Sequence, residues 1–448
     1  MIYKGKKVAF YTLGCKLNYS ETSSIAASLD GMGFTHVGFK KKADVYIINS
    51  CAVTKQGEKA SRNIIRQAVR RNPDAMVIVT GCYAQLNPEE IKKIEGVDLI
   101  LGTRQKFDIP SCLGDLKKRM TPRIVVSPLK ELNEYHSAFS HGERTRSFLK
   151  IQDGCDYFCS YCSIPYARGR SRNDTIKNTV SEAIKSVNEG FKEIVLTGVN
   201  IGDFGKSTGE NFIDLLKALE KIDGLKRLRL GSVEPDLLKD EIIELAASSD
   251  VIMPHFHIPL QSGSDKVLQI MRRRYDTKLF SDRIDRIRSF IPDAFIGVDV
   301  IAGTNGETEE LFRESYDFIK DLDISQLHAF TYSERSGTQA LKLPGNIEIK
   351  DRKYRTQMYI NLSEKKLRAF YQNNIGSEKT VLFESDNHDG EITGFTENYI
   401  KTATPFNYQL INRLKRVRLE KIVPGGHVKA YFINDKHSFP AENKLNNN

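Results

Sequence analysis

The sequence contains no tryptophan, no internal repeat and no run of about 18 apolar residues of the kind that crosses a membrane. Its N-terminus also lacks the apolar core and the small-residue cleavage site of a secretory signal peptide. We therefore expect a cytoplasmic protein without a membrane span. Cysteine is scarce, and the seven cysteines are odd in number, which argues against a framework of disulfides and favours metal binding or redox chemistry.

Positive charge is present in excess. The 67 lysines and arginines outnumber the 57 aspartates and glutamates, and the formal net charge is +10. Such an imbalance favours a polyanionic partner such as nucleic acid, and the alternative is that the charge serves solubility alone.

Three regions with different hydrophobic patterns follow one another along the chain. Residues 1–126 alternate strand-like and helix-like segments, which predicts an open parallel α/β sheet. Residues 127–146 are polar and are interpreted as a linker. Residues 147–372 resume the alternation with six strand–helix repeats, too few for a closed eightfold barrel and suited to a partial (β/α)6 barrel. Five short strands in 375–437 predict a small all-β barrel, and 438–448 are predicted to be a disordered tail.

Three cysteines lie close together in the sequence, at Cys155, Cys159 and Cys162, and we call them the contiguous trio. They follow the first predicted strand of the partial barrel, at the edge where barrel active sites are built. Three thiolates leave one iron of a cubane cluster open, and an open iron can chelate a small molecule. The alternative is a structural zinc site, which would need a distant fourth ligand.

Three other cysteines, Cys15, Cys51 and Cys82, are far apart in sequence but share a structural position, and we call them the gathered trio. Each follows a predicted strand, and the carboxyl ends of parallel strands meet at one edge of a sheet. We therefore expect the three thiols to meet in space. The alternative is that they are ordinary buried cysteines. Cys112 follows no strand and is interpreted as an ordinary free thiol.

The segment Gly154-Cys-Asp-Tyr-Phe-Cys-Ser-Tyr-Cys162 resembles the signature of radical S-adenosylmethionine enzymes. Together with the surroundings of the gathered trio, such as Leu13-Gly-Cys-Lys-Leu-Asn18, it is similar to the methylthiotransferases. The segments from His257 to Ser264 and from Met271 to Tyr275 also match that family, and the C-terminal β region resembles its RNA-binding TRAM domain. The resemblance spans nearly the whole chain.

The resemblance implies an enzyme with two [4Fe–4S] clusters and S-adenosylmethionine. The contiguous trio would hold the cluster that cleaves S-adenosylmethionine to a 5′-deoxyadenosyl radical. The gathered trio would hold an auxiliary cluster whose open iron carries the sulfur to be inserted, and a second S-adenosylmethionine would provide the methyl group.

Three branches of this family differ in substrate: N6-isopentenyladenosine in tRNA, N6-threonylcarbamoyladenosine in tRNA, or an aspartate of a ribosomal protein. The tripeptide Lys16-Leu-Asn18 and the segment Gly231-Ser-Val-Glu-Pro235 are most similar to the threonylcarbamoyladenosine branch. The implied reaction is methylthiolation of adenine C2 at position 37 of tRNA. The loop from Gly303 to Glu307 reads Gly-Thr-Asn-Gly-Glu where the family usually has Gly-Phe-Pro-Gly-Glu, a departure that concerns cofactor contacts.

Further candidates lie at other strand ends and in basic segments. The residues expected to bind S-adenosylmethionine are Asn200, Gln261, Ser262, Asp299 and Gly303. The residues expected to contact RNA phosphate are Arg62, Arg66, Arg413, Lys415, Arg416 and Arg418. Tyr399 and Phe406 could stack on bases, but we favour a place in the core.

The resemblance also implies partners: the anticodon loop of tRNA, and an electron donor such as flavodoxin or ferredoxin. A rival of another class is a zinc-stabilised RNA-binding protein without catalysis, which would contain zinc and little iron.

Overall fold

A computed structural model describes residues 2–129, 132, 134–142 and 145–433. The predicted tail at 438–448 lies outside the described residues. The chain divides into two compact units, Met1–Glu364 and Lys365–Asn448. The further division of the first unit at residues 126 and 147 stays a prediction.

The first unit begins with a six-stranded sheet in which all neighbours are parallel, in the order β2-β1-β3-β4-β5-β6. Its strands are β1 (Lys7–Thr12), β2 (Thr35–His36), β3 (Val45–Ser50), β4 (Met76–Gly81), β5 (Leu99–Leu101) and β6 (Arg123–Val125). Strands β3 and β4 are buried along their whole length because helices cover both faces, which explains the apolar runs at residues 45–48 and 76–79. The open parallel sheet predicted for this region is confirmed.

Helices connect the strands of this sheet. They are α1 (Lys16–Asp30), α2 (Lys55–Arg71), α3 (Cys82–Leu86), α4 (Pro88–Lys92) and α5 (Ile109–Cys112). Helix α2 begins at Lys55 because the Thr54 hydroxyl caps it, accepting a hydrogen bond from the Gly57 N–H at 3.0 Å. Helix α1 begins directly after Cys15, whose extended backbone forms the N-cap.

A partial barrel follows, built from two sheets in the orders β10-β9-β8-β7 and β11-β12-β13. Its strands are β7 (Ala138–Phe139), β8 (Arg146–Lys150), β9 (Glu193–Thr197), β10 (Arg227–Arg229), β11 (His255–Gln261), β12 (Phe295–Ala302) and β13 (Gln326–Thr331). Six of them are parallel within their sheets, as predicted, and single bridges such as Ser232 to His257 connect the two sheets. The short β7 runs antiparallel to β8 and lies inside the segment predicted to be a linker.

The barrel's helices cover its outer face. They are α6 (Ile164–Arg168), α7 (Ile176–Asn188), α8 (Phe212–Leu219), α9 (Asp240–Ser248), α10 (Asp265–Ile270), α11 (Thr277–Phe290), α12 (Glu309–Asp321) and α13 (Ile349–Asn373). The largest apolar cluster fills the space between these helices and the strands, with Leu149, Ile258 and Val298 among its members. Alternate strand residues such as His257 and Asp299 face the interior instead, so a polar surface lines the inside.

The second unit contains a closed barrel in the order β14-β15-β16-β18-β17, as predicted for an all-β domain. Its strands are β14 (Glu378–His388), β15 (Glu391–Thr396), β16 (Lys401–Pro405), β17 (Leu414–Val423) and β18 (His427–Phe432). Within the described part of the whole chain, no helix is both long enough and apolar enough to cross a membrane.

Candidate functional site

The three cysteines of the gathered trio lie at one edge of the first sheet. Cys15 follows β1, Cys51 follows β3 and Cys82 begins α3 directly after β4. Because these strands are neighbours in register, their carboxyl ends coincide, with Asn49 opposite both Thr12 and Thr80. The thiol positions therefore follow from strand order, as the sequence predicts.

Close packing around Gly14 brings Cys51 next to the residue that precedes Cys15. A Cβ atom on Gly14 would lie 3.1 Å from Cys51 Sγ, and the Gly14 φ of +99° turns the chain toward that sulfur. Burial, followed by the nearby Cys82 and Cys15 thiols, raises the pKa of Cys51 to about 11.

The contiguous trio lies in a loop after β8 that returns on itself. Asp153 and Arg172 form a bridge, and Gly154 lies so close to the returning strand that a Cβ there would meet Arg170 O at 1.9 Å. The Gly154 φ of +74° starts the loop, and α6 begins two residues after Cys162. The glycine is needed here for close approach of two backbone segments.

Backbone N–H groups point at two sulfurs of the contiguous trio. Tyr157 N donates to Cys155 Sγ at 3.5 Å, and Ile164 N donates to Cys162 Sγ at 3.4 Å. Burial nevertheless raises the pKa of both thiols to about 12, with the neighbouring thiol of Cys159 adding to the shift. These sulfurs are thus oriented for an electron-deficient partner that would stabilise their thiolate form.

A buried ion pair stands beside the contiguous trio. Arg273 donates to Cys159 Sγ at 3.1 Å and pairs with the carboxylate of Glu234. Burial raises the pKa of Glu234 to about 7, although the Arg273 charge opposes the shift. Arg273 is thus a charged hydrogen-bond donor to Cys159 Sγ, and the carboxylate of Glu234 balances its charge.

A cavity of about 320 Å³ opens between the first sheet and the barrel. All three cysteines of the contiguous trio line it on one side, and Val53 and Thr54, which follow Cys51, line it on the other. The start of α2 is held at this opening by two contacts, Lys55 N to Ser333 Oγ at 3.0 Å and the buried pair of Glu58 with Arg335. The contiguous trio and the residues that follow Cys51 therefore border one chamber.

The ligand types at the two trios distinguish a single metal ion from an iron–sulfur cluster. Among the described residues, no three His, Cys, Asp or Glu side chains converge closely enough to hold a single metal ion. A cluster of several irons and sulfides spans a wider space than one ion and takes cysteine thiolates as its ligands. Two sets of three thiols, of which only Cys15 is exposed, each beside positive charge, fit such clusters.

The structure brings some of the residues expected to bind S-adenosylmethionine to the chamber. Gln261 and Asp299 line it, and Asp299 Oδ1 accepts a hydrogen bond from His257 Nε2 at 2.8 Å. Asn200 is 2% exposed beside the lining residue Val199, and neither of its amide atoms has a hydrogen-bond partner among the described residues. Such an orphaned buried amide fits a polar ligand.

The other two residues of that set face elsewhere. Ser262 is fully buried against α12, where its hydroxyl contacts Ser315 Oγ at 3.3 Å. Gly303 packs against Arg352, and its N–H donates to Glu307 at 2.7 Å. Their role in binding S-adenosylmethionine stays a prediction.

The residues expected to contact RNA lie in both units. Arg62 bonds Tyr83 Oη at 2.8 Å, while Arg66 is exposed on the same helix. In β17, Arg416 and Arg418 are exposed, and each pairs with Glu378.

The remaining residues considered for RNA contact belong to the closed barrel of the second unit. Arg413 is exposed and Lys415 is partly buried. Tyr399 and Phe406 are partly buried, and Tyr399 stacks on Phe395 with 4.6 Å between ring centroids. RNA contact by these residues stays a prediction.

Two family models match the chain, one described as the uncharacterized protein family UPF0004 at residues 7–102 and one as the radical SAM superfamily at residues 149–319. The threonylcarbamoyladenosine tRNA methylthiotransferases MtaB of Bacillus subtilis and Aquifex aeolicus are each 38% identical over 92% of this chain, and the matches cover 94% and 99% of those relatives. The chain belongs to the methylthiotransferase family of radical S-adenosylmethionine enzymes. It is therefore an enzyme, a transferase.

A second group of relatives differs in the named substrate. The tRNA-2-methylthio-N(6)-dimethylallyladenosine synthase of Clostridium botulinum is 32% identical, with 86% of this chain and 88% of that protein covered. Among solved structures, the radical S-adenosylmethionine methyltransferase TsrM of Kitasatospora setae aligns with a TM-score of 0.53 at 14% identity, covering 73% of this chain and 75% of that one. That likeness shows the fold alone.

Sequence reasoning assigned no role to several residues around the contiguous trio of this methylthiotransferase. Glu234 and Arg273 lie within segments that carry the family resemblance, yet only the structure joins them at Cys159. Arg168 and Arg172 follow Cys162 in an arginine-rich run, a signal that could have been noticed. Their buried carboxylate partners are Asp153, which precedes Cys155, and the distant Glu21, and no local pattern identifies either one as a partner.

Proposed function

We propose that this methylthiotransferase acts on tRNA and converts N6-threonylcarbamoyladenosine to its 2-methylthio derivative. The observation that carries the proposal is the common chamber, which is bordered by the contiguous trio and by the residues that follow Cys51. An enzyme that activates one carbon and delivers sulfur to it needs both reagents at one place.

We assign one [4Fe–4S] cluster to each trio. S-adenosylmethionine belongs in the chamber, where Gln261, Asp299 and Asn200 offer polar groups. When bound, the clusters and S-adenosylmethionine supply the electron, the radical, the sulfur and the methyl group. The protein contributes thiolate ligands, the hydrogen bonds to their sulfurs and the exclusion of water.

Arg273 and Glu234 position the contiguous trio. The guanidinium holds Cys159 Sγ through a charge-assisted hydrogen bond at 3.1 Å, and Glu234 fixes the guanidinium from its other side. Outer groups of this kind orient metal ligands and tune the metal.

Lys16 supports the assignment of the threonylcarbamoyl substrate. It follows Cys15 directly, and its ammonium lies 5.9 Å from the centre of the Phe148 ring in β8. Burial and several charges, Lys16 among them, lower the pKa of His255 and His328, both on strands of the barrel. A threonylcarbamoyl group ends in a carboxylate, whereas an isopentenyl group is uncharged. A cation directly after Cys15 therefore favours the threonylcarbamoyl substrate.

Binding of tRNA is proposed to involve the second unit. Arg416 and Arg418 present positive charge on the outer side of its barrel, in alternation with the buried Val417 and Leu419. We further propose that the anticodon loop is the part recognised, that flavodoxin or ferredoxin supplies electrons, and that the enzyme works in the cytoplasm.

The test is mass spectrometry of nucleosides from tRNA that carries N6-threonylcarbamoyladenosine. The tRNA is incubated with the reconstituted enzyme, S-adenosylmethionine and a reductant. We expect a product heavier by one methylthio group in place of one hydrogen. The Cys159→Ala variant is expected to give none, because the contiguous trio then has two ligands.

The same assay with tRNA that carries N6-isopentenyladenosine separates the two substrate groups found among the relatives. Product from this tRNA alone would overturn the substrate assignment and leave the enzyme class intact. Zinc with little iron in the purified protein would overturn the assignment of clusters.

A further inference from the structure

A buried network of charged side chains lies between the first sheet and the barrel. We call it the buried ion network, and its residues, all at most 6% exposed, are Glu21, Lys106, Lys150, Asp153, Arg168 and Arg172. Helix α1 provides Glu21 and the turn after β5 provides Lys106, whereas the other four residues belong to the barrel. The neighbourhood of the gathered trio is thereby joined to that of the contiguous trio.

The carboxylate of Glu21 is the first centre of this network. It accepts from Lys106 Nζ at 2.6 Å, from Lys150 Nζ at 3.0 Å and from Arg168 at 3.1 Å. Despite full burial, these three cations hold the pKa of Glu21 well below its ordinary value. Glu21 is therefore ionised throughout the working pH range.

The carboxylate of Asp153 is the second centre. It pairs with Arg168 at 2.8 Å, with Lys150 at 2.9 Å and with Arg172 at 3.0 Å. Within the described residues of this network, four cations face two carboxylates, a formal excess of two positive charges. Buried charge is costly unless it is balanced, so this excess calls for an anionic neighbour.

The gathered trio lies next to this network. Arg168 Nη2 donates to Asn18 Oδ1 at 2.5 Å, and the same oxygen contacts Cys15 Sγ at 4.0 Å. Helix α6, which ends at Arg168, packs against α3, which begins at Cys82. Arg168 is thus separated from one sulfur by a single amide and lies on the helix beside another.

The contiguous trio has a different electrostatic setting. Its one charged donor, within the described residues, is Arg273, and Glu234 neutralises that cation directly. The gathered trio instead lies beside a network whose positive charge exceeds its negative charge. The two trios therefore have the same number of thiols but differ in the net charge of their surroundings.

We propose that the buried ion network, through Arg168, is the counter-charge of the iron–sulfur cluster on the gathered trio and raises its reduction potential. One-electron reduction adds a negative charge to a cluster, and a fixed cation nearby favours that reduced form. Arg168 is a positioning residue in this proposal. The inference depends on the proposed function only in that the gathered trio must hold the cluster.

The test uses the full chain with Cys155, Cys159 and Cys162 replaced by alanine, reconstituted with iron and sulfide, so that only the gathered trio can bind a cluster. The readout is the midpoint potential from a redox titration followed by electron paramagnetic resonance. In this background, Arg168→Gln is expected to shift the potential to a more negative value. Glu21→Gln, which removes an anion, is expected to shift it to a more positive value.

Shifts of the midpoint potential with opposite signs would show that charge is the cause. A loosened structure would not change the direction of the shift according to whether a cation or an anion was removed. Arg172→Gln is the matched control: it removes a cation from the same network but bonds Asp153 and not Asn18, so its shift should be smaller. Arg168→Lys keeps the charge and should leave the potential close to that of the unsubstituted background. If Arg168→Gln does not fold, Lys106→Gln takes its place with the same expected sign.

Shifts of the same sign for Arg168→Gln and Glu21→Gln, or no shift in either, would overturn the inference. About four irons per chain must be present in the background protein. A background protein that binds no iron would instead overturn the assignment of the gathered trio, which is a failure of the proposed function and is recognised before any titration.

Discussion

The two cysteine trios are assembled by opposite routes. The contiguous trio is placed by eight residues of one loop, whose shape depends on Gly154 and the bridge from Asp153 to Arg172. The gathered trio is placed by the ends of three parallel strands, and it exists only when the whole sheet has formed. A local site depends on its loop, whereas an assembled site depends on tertiary packing and on the charges buried beside it.

The largest expected effect separates the chemical roles of the trios. Cys159→Ala should abolish both cleavage of S-adenosylmethionine and methylthiolation, because both depend on the contiguous trio. Cys51→Ala should abolish methylthiolation alone and leave 5′-deoxyadenosine formation. Mass spectrometry of both products makes the measurement.

Cys112→Ala is the control for these substitutions, since this partly buried cysteine belongs to neither trio and should leave both products unchanged. Methylthiolation by Cys51→Ala would contradict a role for the gathered trio in sulfur delivery.

The next effect concerns the barrel that carries the contiguous trio. Glu193 is fully buried against Arg229 at 2.8 Å, and the arginines around it hold its pKa at about 2, below the ordinary 4.5. That shift corresponds to about 3 kcal/mol of unfolding free energy, which is present above pH 4.5 and lost as the pH falls to about 2. Glu193→Gln should remove this contribution at neutral pH, as measured by denaturant unfolding at several pH values.

Iron at the gathered trio should be unaffected by Glu193→Gln at neutral pH, because Glu193 belongs to the barrel and is not part of the buried ion network. An unchanged unfolding free energy above pH 4.5 would show that Glu193 and its arginines do not stabilise the barrel.

A smaller effect is expected from the hydrogen bond to Cys159. Arg273→Gln should lower the rate of 5′-deoxyadenosine formation about 10- to 100-fold, the usual range for groups that orient metal ligands. The exposed neighbour Arg272 is the control, since Arg272→Gln should leave the rate unchanged. Iron content checks that the cluster is retained, and an equal loss in both variants would contradict the specific role of Arg273.

The smallest effect is expected in the second unit. Arg413→Gln should weaken tRNA binding and reduce the dependence of log K on log salt by about 1, as for the loss of one phosphate contact. Lys278→Gln, on the first unit, removes an exposed lysine paired with Asp282 and should leave the slope unchanged. Filter binding over a range of salt concentrations measures both slopes, and equal slopes for Arg413→Gln and the unsubstituted enzyme would remove this residue from the RNA contact.

Much of this molecule could be predicted from sequence because strand-like and helix-like segments alternate along it and six of its cysteines follow strands. The closed barrel of the second unit was expected from five short strands. The start of α2 at Lys55 could also have been predicted, since Thr54 is a good N-cap residue.

Other features depend on contacts between distant segments and gave no local signal. Strand β7 has two residues and forms because it pairs with β8 and packs beside α1. The five-residue α3 forms against α6. The pairing of Glu21 with Lys150 and Arg168 joins positions more than a hundred residues apart, which no periodicity could reveal.

The most direct measurement compares electron paramagnetic resonance spectra of three reduced, reconstituted proteins: the unsubstituted enzyme and two variants, each with one trio replaced by alanine. If both trios hold a cluster and face one chamber, each variant should contain about half the iron of the unsubstituted enzyme. The spectrum of the unsubstituted enzyme should then show magnetic interaction that the sum of the two variant spectra lacks. A spectrum equal to that sum would contradict the shared chamber, and a variant without iron would contradict the assignment of a cluster to its remaining trio.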